Sequence, residues 1–264
     1  MKKVLSLLIL FFILINVFEL KSQTKKIIDT PFKDGEWFEF RIHYGFFNTS
    51  YASIKLKKDT LNDIPVFHSK GYGKTTGIAR WFFKVEDHYE SYFDKKKIMP
   101  YKFIRNIYEG GYTKNIEINF NHDMQIAHIN DKKKKTKSEI PFKINAQDIV
   151  SSFYYLRKFY PRDKKDINES FNINMFFDSE NYIFKLKYLG KEIIESKFGD
   201  IECLKFIPIV QSGRIFKEQE SITIWISNDK NRIPIRVQAD VIVGSIKAEL
   251  ENFKNLKYPF KIKF

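Results

Sequence analysis

The sequence predicts an all-β, mainly antiparallel fold: a curved, barrel-like meander of strands closed by one buried α-helix near 147–160. Three observations predict it. Beyond residue 35 the hydrophobic period is two, the spacing of a strand with one buried and one wet face. Turn-forming clusters recur at short intervals, so each strand joins the next by a hairpin. A single stretch breaks this pattern with a helical period. A dozen or more strands joined by consecutive hairpins build a strongly twisted sheet, which curls into a barrel or splits into a sandwich.

The strands follow in order. In 36–46, Phe38, Phe40, Ile42, Tyr44 and Phe46 oppose Trp37, Glu39, Arg41 and His43. Ile116, Ile118 and Phe120 alternate with Asn115, Glu117 and Asn119. Further on, Tyr182, Phe184, Leu186 and Tyr188 alternate with Ile183, Lys185 and Lys187. Ile222, Ile224 and Ile226 oppose Thr223, Trp225 and Ser227, and Ile233, Ile235, Val237 and Ala239 oppose Pro234, Arg236 and Gln238. Among the turns expected between them are Lys58–Asp63, Glu109–Tyr112, Asp131–Lys137, Gly190 and Ser212-Gly213. Strand alternation lapses at Thr76–Phe83, where a short helical turn is expected. In the helix, Asn145 is the expected N-cap, with Asp148 adding negative charge to the first turn. Over Gln147–Tyr160, Ile149, Ser152/Phe153, Leu156 and Phe159/Tyr160 follow helical spacing, and Pro161 stops the run. Val150, Tyr154 and Tyr155 widen the apolar arc, so that the helix is buried on most sides. The helix divides a single β-rich domain, 23–264, into meanders at about 35–141 and 171–254. The basic tail from Asn255 is expected to fray.

Composition narrows the function classes. The 264 residues carry a net charge of +14, but only eight of the 46 basic residues are Arg. Nucleic-acid readers favour the bidentate Arg fork, and the Lys runs fall at turns such as Asp94–Lys97, Asp131–Lys137 and Arg162–Lys165. A nucleic-acid partner is therefore not expected. Aromatics at 17% exclude a disordered chain, and a lone Cys203 excludes a disulfide framework. Residues 1–22 read as a signal peptide. Lys2 and Lys3 precede an apolar run, Val4–Phe18, too short to span a bilayer, and Ser22 offers a small residue at a cleavage point. An uncleaved N-terminal anchor is the alternative. Cleavage would lower the charge to +12 and leave an exported, periplasmic or envelope-associated chain with no membrane span. Nucleotide cofactors are scarce there, and Gly71-Tyr72-Gly73 lacks the context of a phosphate loop. No cofactor is expected.

Several stretches resemble the exported bacterial family called domain of unknown function 3108, in its Bacteroidetes-type version. They are Gly35–Phe38, Val85–Asp94 with Pro100, and Asp148–Arg157. Ile224–Ser227 with Asp229 and Arg232–Pro234, and Val243–Ile246 with Glu249-Leu250, complete the set. The resemblance implies an envelope location and one domain. It supplies no activity and no catalytic residue.

Chemistry-bearing clusters are sparse. His43, His68, His88, His122 and His128 lack metal-ligand spacing and read as surface residues, so no metal site is expected. Asp87/Glu90 and Glu218/Glu220 are the carboxylate pairs nearest a glycosidase pattern, and Ser151-Ser152 lacks a nucleophile elbow. No catalytic residue is assigned, and the chain leans away from being an enzyme. Aromatics form the remaining set: Trp37 and Trp225 on otherwise polar strand faces, Trp81 in an irregular segment, and Tyr108 and Tyr112 around a Gly-Gly turn. These five are the candidate ligand-binding residues. The expected function is a non-catalytic carrier of an apolar or amphipathic envelope ligand, a lipid or acyl chain. The alternatives are a glycan-binding or glycan-active protein and a scaffold partner of an outer-membrane complex.

Overall fold

The computed structural model describes residues 29–161, 166–209 and 222–262. Among these residues fourteen strands form one antiparallel sheet. The first eight are β1 (Trp37–Tyr44), β2 (Phe47–Leu61), β3 (Ile64–Thr75), β4 (Val85–Asp94), β5 (Pro100–Glu109), β6 (Tyr112–Asn121), β7 (Ile126–Asp131) and β8 (Thr136–Pro141). After the helix come β9 (Ser170–Phe177), β10 (Glu180–Ser196), β11 (Gly199–Ile209), β12 (Ile222–Ser227), β13 (Pro234–Asp240) and β14 (Ser245–Lys254). Helix α1 (Gly77–Phe82) joins β3 to β4, and α2 (Ile149–Phe159) joins the two meanders. The order β8-β7-β6-β5-β4-β3-β2-β1-β14-β13-β12-β11-β10-β9 places the two meanders side by side through the β1–β14 ladder.

Turn chemistry fixes the hairpins. Asn62-Asp63 and Asp178-Ser179 each hold two consecutive positive φ values, the two-residue primed turn whose twist matches its strands. Gly190 is different: instead of the expected turn, it sits at φ +113° in a bulge where β10 shifts register against β11 between Tyr188 and Gly190. Glycine supplies the left-handed backbone there, so a single strand runs through.

Laid flat, fourteen strands would span about 60 Å at ~4.8 Å per strand, whereas α2 is only about 16 Å long. Yet α2 reaches three clusters drawn from the whole sheet. Val150 and Tyr154 pack with Leu56, Phe67, Phe93 and Phe103. Phe153 packs on Phe38 and the cluster that includes Leu250, and Leu156 and Tyr160 join Leu186, Tyr188 and Phe206. The sheet therefore wraps around the helix. It does not close: β8 and β9 are edges, and residues 141–147 bridge the gap between them. Asn181 Nδ2 donates to Pro141 O at 2.8 Å, Gln147 N donates to Asn174 O at 2.9 Å, and Phe176 N donates to Gln147 O at 2.9 Å.

Helix α2 begins later than the sequence suggests. Asp148, not Asn145, is the N-cap; its Oδ1 accepts from Val150 N and Ser151 N, and Ser151 Oγ accepts from Asp148 N. Asn145 instead takes a left-handed turn at φ +58°. The deepest face carries Val150 and Tyr154, both in the expected apolar arc, together with Arg157 and Lys158, whereas Ile149 is exposed. Two cations sit on this face because each has acceptors, Glu36 and Asn231 O for Arg157 and Thr30 Oγ1 and Lys96 O for Lys158, which hydrophobic periodicity does not register. The C-terminal tail is also anchored rather than frayed. Asn231 Nδ2 donates to Tyr258 O and Pro259 O, and Phe260 packs on Phe198 and Phe253.

Candidate ligand-binding site

Four of the stretches that carry the family resemblance meet around α2, through Glu36, Ser91, Asp148–Arg157 and Arg232. Arg157 donates to both Glu36 carboxylate oxygens, at 2.5 and 2.9 Å, and its Nε donates to Asn231 O at 3.1 Å. Ser91 Oγ donates to Asp148 Oδ2 at 2.6 Å, Ser69 Oγ pairs with the Tyr154 hydroxyl at 3.1 Å, and Arg232 donates to Tyr160 O. Burial pushes the Asp148 carboxyl up to about 6 and raises the Tyr154 phenol. These groups bond to one another, so this end is a brace that seats the helix.

The other end of the same sheet face is less covered. Residues paired directly across strands point to one side. One row runs Lys114, Ile107, Asp87, Gly73, Ala52, Phe40 and Leu250. The next includes Ser50, Ile42, Ala248, Val237, Ile224 and Phe206. Leu250 and Phe206 belong to clusters that touch α2, so both rows lie on the helix-facing side. Small residues dominate the middle of these rows. A Cβ added to Gly73 would meet no atom within 4 Å. Phe40, Ile42, Ile224 and Val237 are only half-buried although they face inward.

A polar cluster stands beside this apolar recess. Arg105 lies between the Tyr89 and Phe177 rings, at 5.8 and 4.9 Å from their centres, and is 9% exposed. Its Nη1 donates to Asp178 Oδ1 at 2.6 Å, and Lys114 bonds the same oxygen. Burial alone would raise the Asp178 carboxyl, but these two cations outweigh it and hold it below its ordinary value. Asp87 shows the opposite balance: burial, then the neighbouring Glu109 charge, pushes it up to about 6. Arg105 Nε and Asp87 Oδ1 are buried without a hydrogen-bond partner. Such atoms are rare in folded proteins, and here a donor and an acceptor occur together.

The five aromatic candidates are not gathered into this recess. Trp37 is half-buried with Lys254 Nζ 5.4 Å from its ring centre. Trp225 alternates with polar partners as expected but is buried beside Cys203 and Ile235, its Nε1 donating to Glu192 Oε2 at 3.1 Å. Trp81, Tyr108 and Tyr112 are exposed at one end of the sheet, where Phe83 covers Gly110 so closely that a Cβ would overlap the ring.

Two histidines also depart from a surface reading. His68 is buried, stacked on Tyr92 at 3.8 Å, with Asp59 and Glu90 carboxylates at 3.1 and 2.8 Å from its ring nitrogens. His43 meets Glu249 at 2.9 Å. Among the described residues no three His, Cys, Asp or Glu side chains converge in a metal-like group. Asp87 and Glu90 point to opposite faces of β4, while residues 1–22, 162–165, Ser212-Gly213 and Glu218/Glu220 lie outside the described residues. In the sequence Asp87 stands out only as a carboxylate paired with Glu90, and Arg105 does not stand out as a site residue. Their signal was present: each occupies an apolar position of its strand's alternation, Asp87 with Tyr89 and Phe93, Arg105 with Phe103 and Ile107.

Comparison with known proteins adds the lineage. A β-barrel-like protein of domain of unknown function DUF1849 from Brucella abortus is 7% identical, with a TM-score of 0.52 over 84% of this chain and 98% of that one. A DUF1089 family protein from Pseudomonas aeruginosa is 9% identical, with a TM-score of 0.38 over 73% and 92%. The first likeness supports the barrel-like fold alone. No curated protein matches the chain. The family described as protein of unknown function (DUF3108) matches residues 39–251, most of the sequence, and the chain belongs to that family.

Proposed function

We propose that the protein is an exported, non-catalytic binding or carrier protein for an amphipathic envelope ligand with an acyl chain. The observation that carries this reading is the pairing of an incompletely covered apolar recess with two orphaned polar atoms, Arg105 Nε and Asp87 Oδ1. Phe40, Ile42, Val237 and Ile224 supply the wall for a chain, since burying apolar area against them is favourable by ~25 cal/mol per Å2. Arg105 and Asp87 offer a donor and an acceptor to a ligand's polar group. Glycan chemistry has less support, since Trp225 is buried with its Nε1 spent on Glu192 rather than presented to a sugar ring.

Native mass spectrometry with lipid extraction, on protein purified from its own envelope in mild detergent, tests this reading. Acyl-bearing species should co-purify, and Ala52→Trp, which fills the recess, should displace them while leaving the fold intact by circular dichroism. Absence of any lipid or acyl species across several mild detergents would overturn it. So would retention of the same species by the Ala52→Trp protein.

A further inference from the structure

We infer that the end of the sheet bearing α1 and the β1–β2, β5–β6 and β13–β14 turns docks on an anionic lipid bilayer. An antiparallel meander brings alternate connections to the same end, and the register places these four together: Tyr44 pairs with Ile246 and Phe47, and Glu109 with Val85 and Tyr112. Among the described residues nineteen large hydrophobic side chains are exposed, and thirteen of them lie at this end. Single exposed hydrophobics are ordinary, but concentration at one pole marks an interaction surface.

The geometry favours a bilayer over a protein groove or a second copy. Phe46, Trp81, Phe82 and Ile242 are 96%, 92%, 85% and 103% exposed, so they project from turn tips rather than line a shaped depression. Fluid lipid accommodates such separate prongs, whereas a protein partner needs a complementary surface. The prongs are held in place: the Tyr44 hydroxyl donates to Val243 O at 2.5 Å, and Phe83 lies on Gly110. Basic residues accompany them. Lys84, Lys132 and Lys133 line a groove of 490 Å3 at this end, and Lys134 and Lys135 are exposed beside it. Aromatic residues flanked by lysines suit the headgroup boundary, where each cation near an anionic surface adds attraction. This docking does not depend on the acyl-ligand reading, since a protein can bind a bilayer and carry nothing.

Tryptophan quenching by brominated acyl chains tests it on the full chain, because the readout is local to Trp81 whatever else holds the chain to the vesicle. Phosphatidylcholine vesicles with phosphatidylglycerol should quench a component of the emission that Trp81→Phe removes, more strongly than phosphatidylcholine alone. Phe46→Asp with Ile242→Asp, which retains Trp81, should weaken that quenching roughly tenfold. These sites are solvent-exposed, and circular dichroism confirms that the variants fold. No quenching in the wild type, or equal quenching in Trp81→Phe, would overturn the proposal. A concentration-dependent dimer abolished by Phe46→Asp with Ile242→Asp, without quenching, would overturn it in favour of a second copy.

Discussion

Asp148 is wholly buried, and its energetics are a contest between desolvation and hydrogen bonding. Two backbone N–H groups and the Ser91 hydroxyl favour the carboxylate, yet burial is the larger effect and raises the group from 3.8 to about 6. The folded state therefore binds this proton more tightly than the unfolded chain. That contribution is complete below about pH 4 and is lost as pH rises to about 6, a change on the order of 3 kcal/mol. Asparagine preserves the cap, because its Oδ1 still accepts from Val150 and Ser151 while its Nδ2 donates to Ser91. Asp148→Asn should flatten the stability profile between pH 4 and 6 in urea unfolding, and Asp148→Ala, which also removes the titrating carboxyl, should cost most below about pH 4 and progressively less as pH rises to about 6. An unchanged profile in the Asn variant would show that another group sets it. Arg157 obeys the same logic of compensation. Its charge is tolerated inside because Glu36 and two main-chain carbonyls accept its donors while four aromatic rings surround it.

At the scale of elements, the tail after β14 shows how one side chain holds a segment. Asn231 is fully buried; its amide donates to Tyr258 O and Pro259 O, and its Oδ1 accepts from Tyr258 N at 3.0 Å. Asn231→Ala strands these groups and should cost about 2–3 kcal/mol. Limited trypsin digestion should then cut at Lys257 before any site in the sheet; equal resistance of the two proteins would refute the staple. This element was read from sequence as a frayed tail because its restraints are long-range, reaching back to Asp29 through Lys257. The strands, most turns, the short helix at 77–82 and the existence of α2 were legible, since period, turn chemistry and caps are local signals. The N-cap, the Gly190 bulge and buried His68 were not. Each depends on a partner distant in the sheet, as His68 does on Glu90, or on a register shift invisible in one strand. The polar cluster was half legible: alternation places Arg105 inward, but nothing in β5 reveals that Asp178, far along the chain, receives it.

For the whole molecule, the decisive contact is the ladder between the first and last strands. Trp37 pairs with Lys254 and Tyr44 with Ile246, so the two meanders join only when the ends of the chain meet. Each half also borrows its core from the other. Phe176 of β9 completes the cluster of β2–β7, and Phe38 of β1 completes that of β10–β14. Arg105 of β5 and Asp178, at the tip of the β9–β10 hairpin, then tie opposite halves across the unclosed edge. Neither half buries its apolar face alone, so the energetics favour one cooperative unit over two independent ones. Loop closure over such separations also makes folding slow, because the entropy of joining distant strands is lost before their contacts form. Urea unfolding followed by tryptophan emission in the Trp81→Phe protein, which then reports Trp37 and Trp225, should coincide with the loss of β signal in far-ultraviolet circular dichroism. A fragment from residue 166 to the end should fail to fold by itself. Two separated transitions, or a folded C-terminal fragment, would instead make the meanders autonomous domains, and the recess between them would then open and close as they moved.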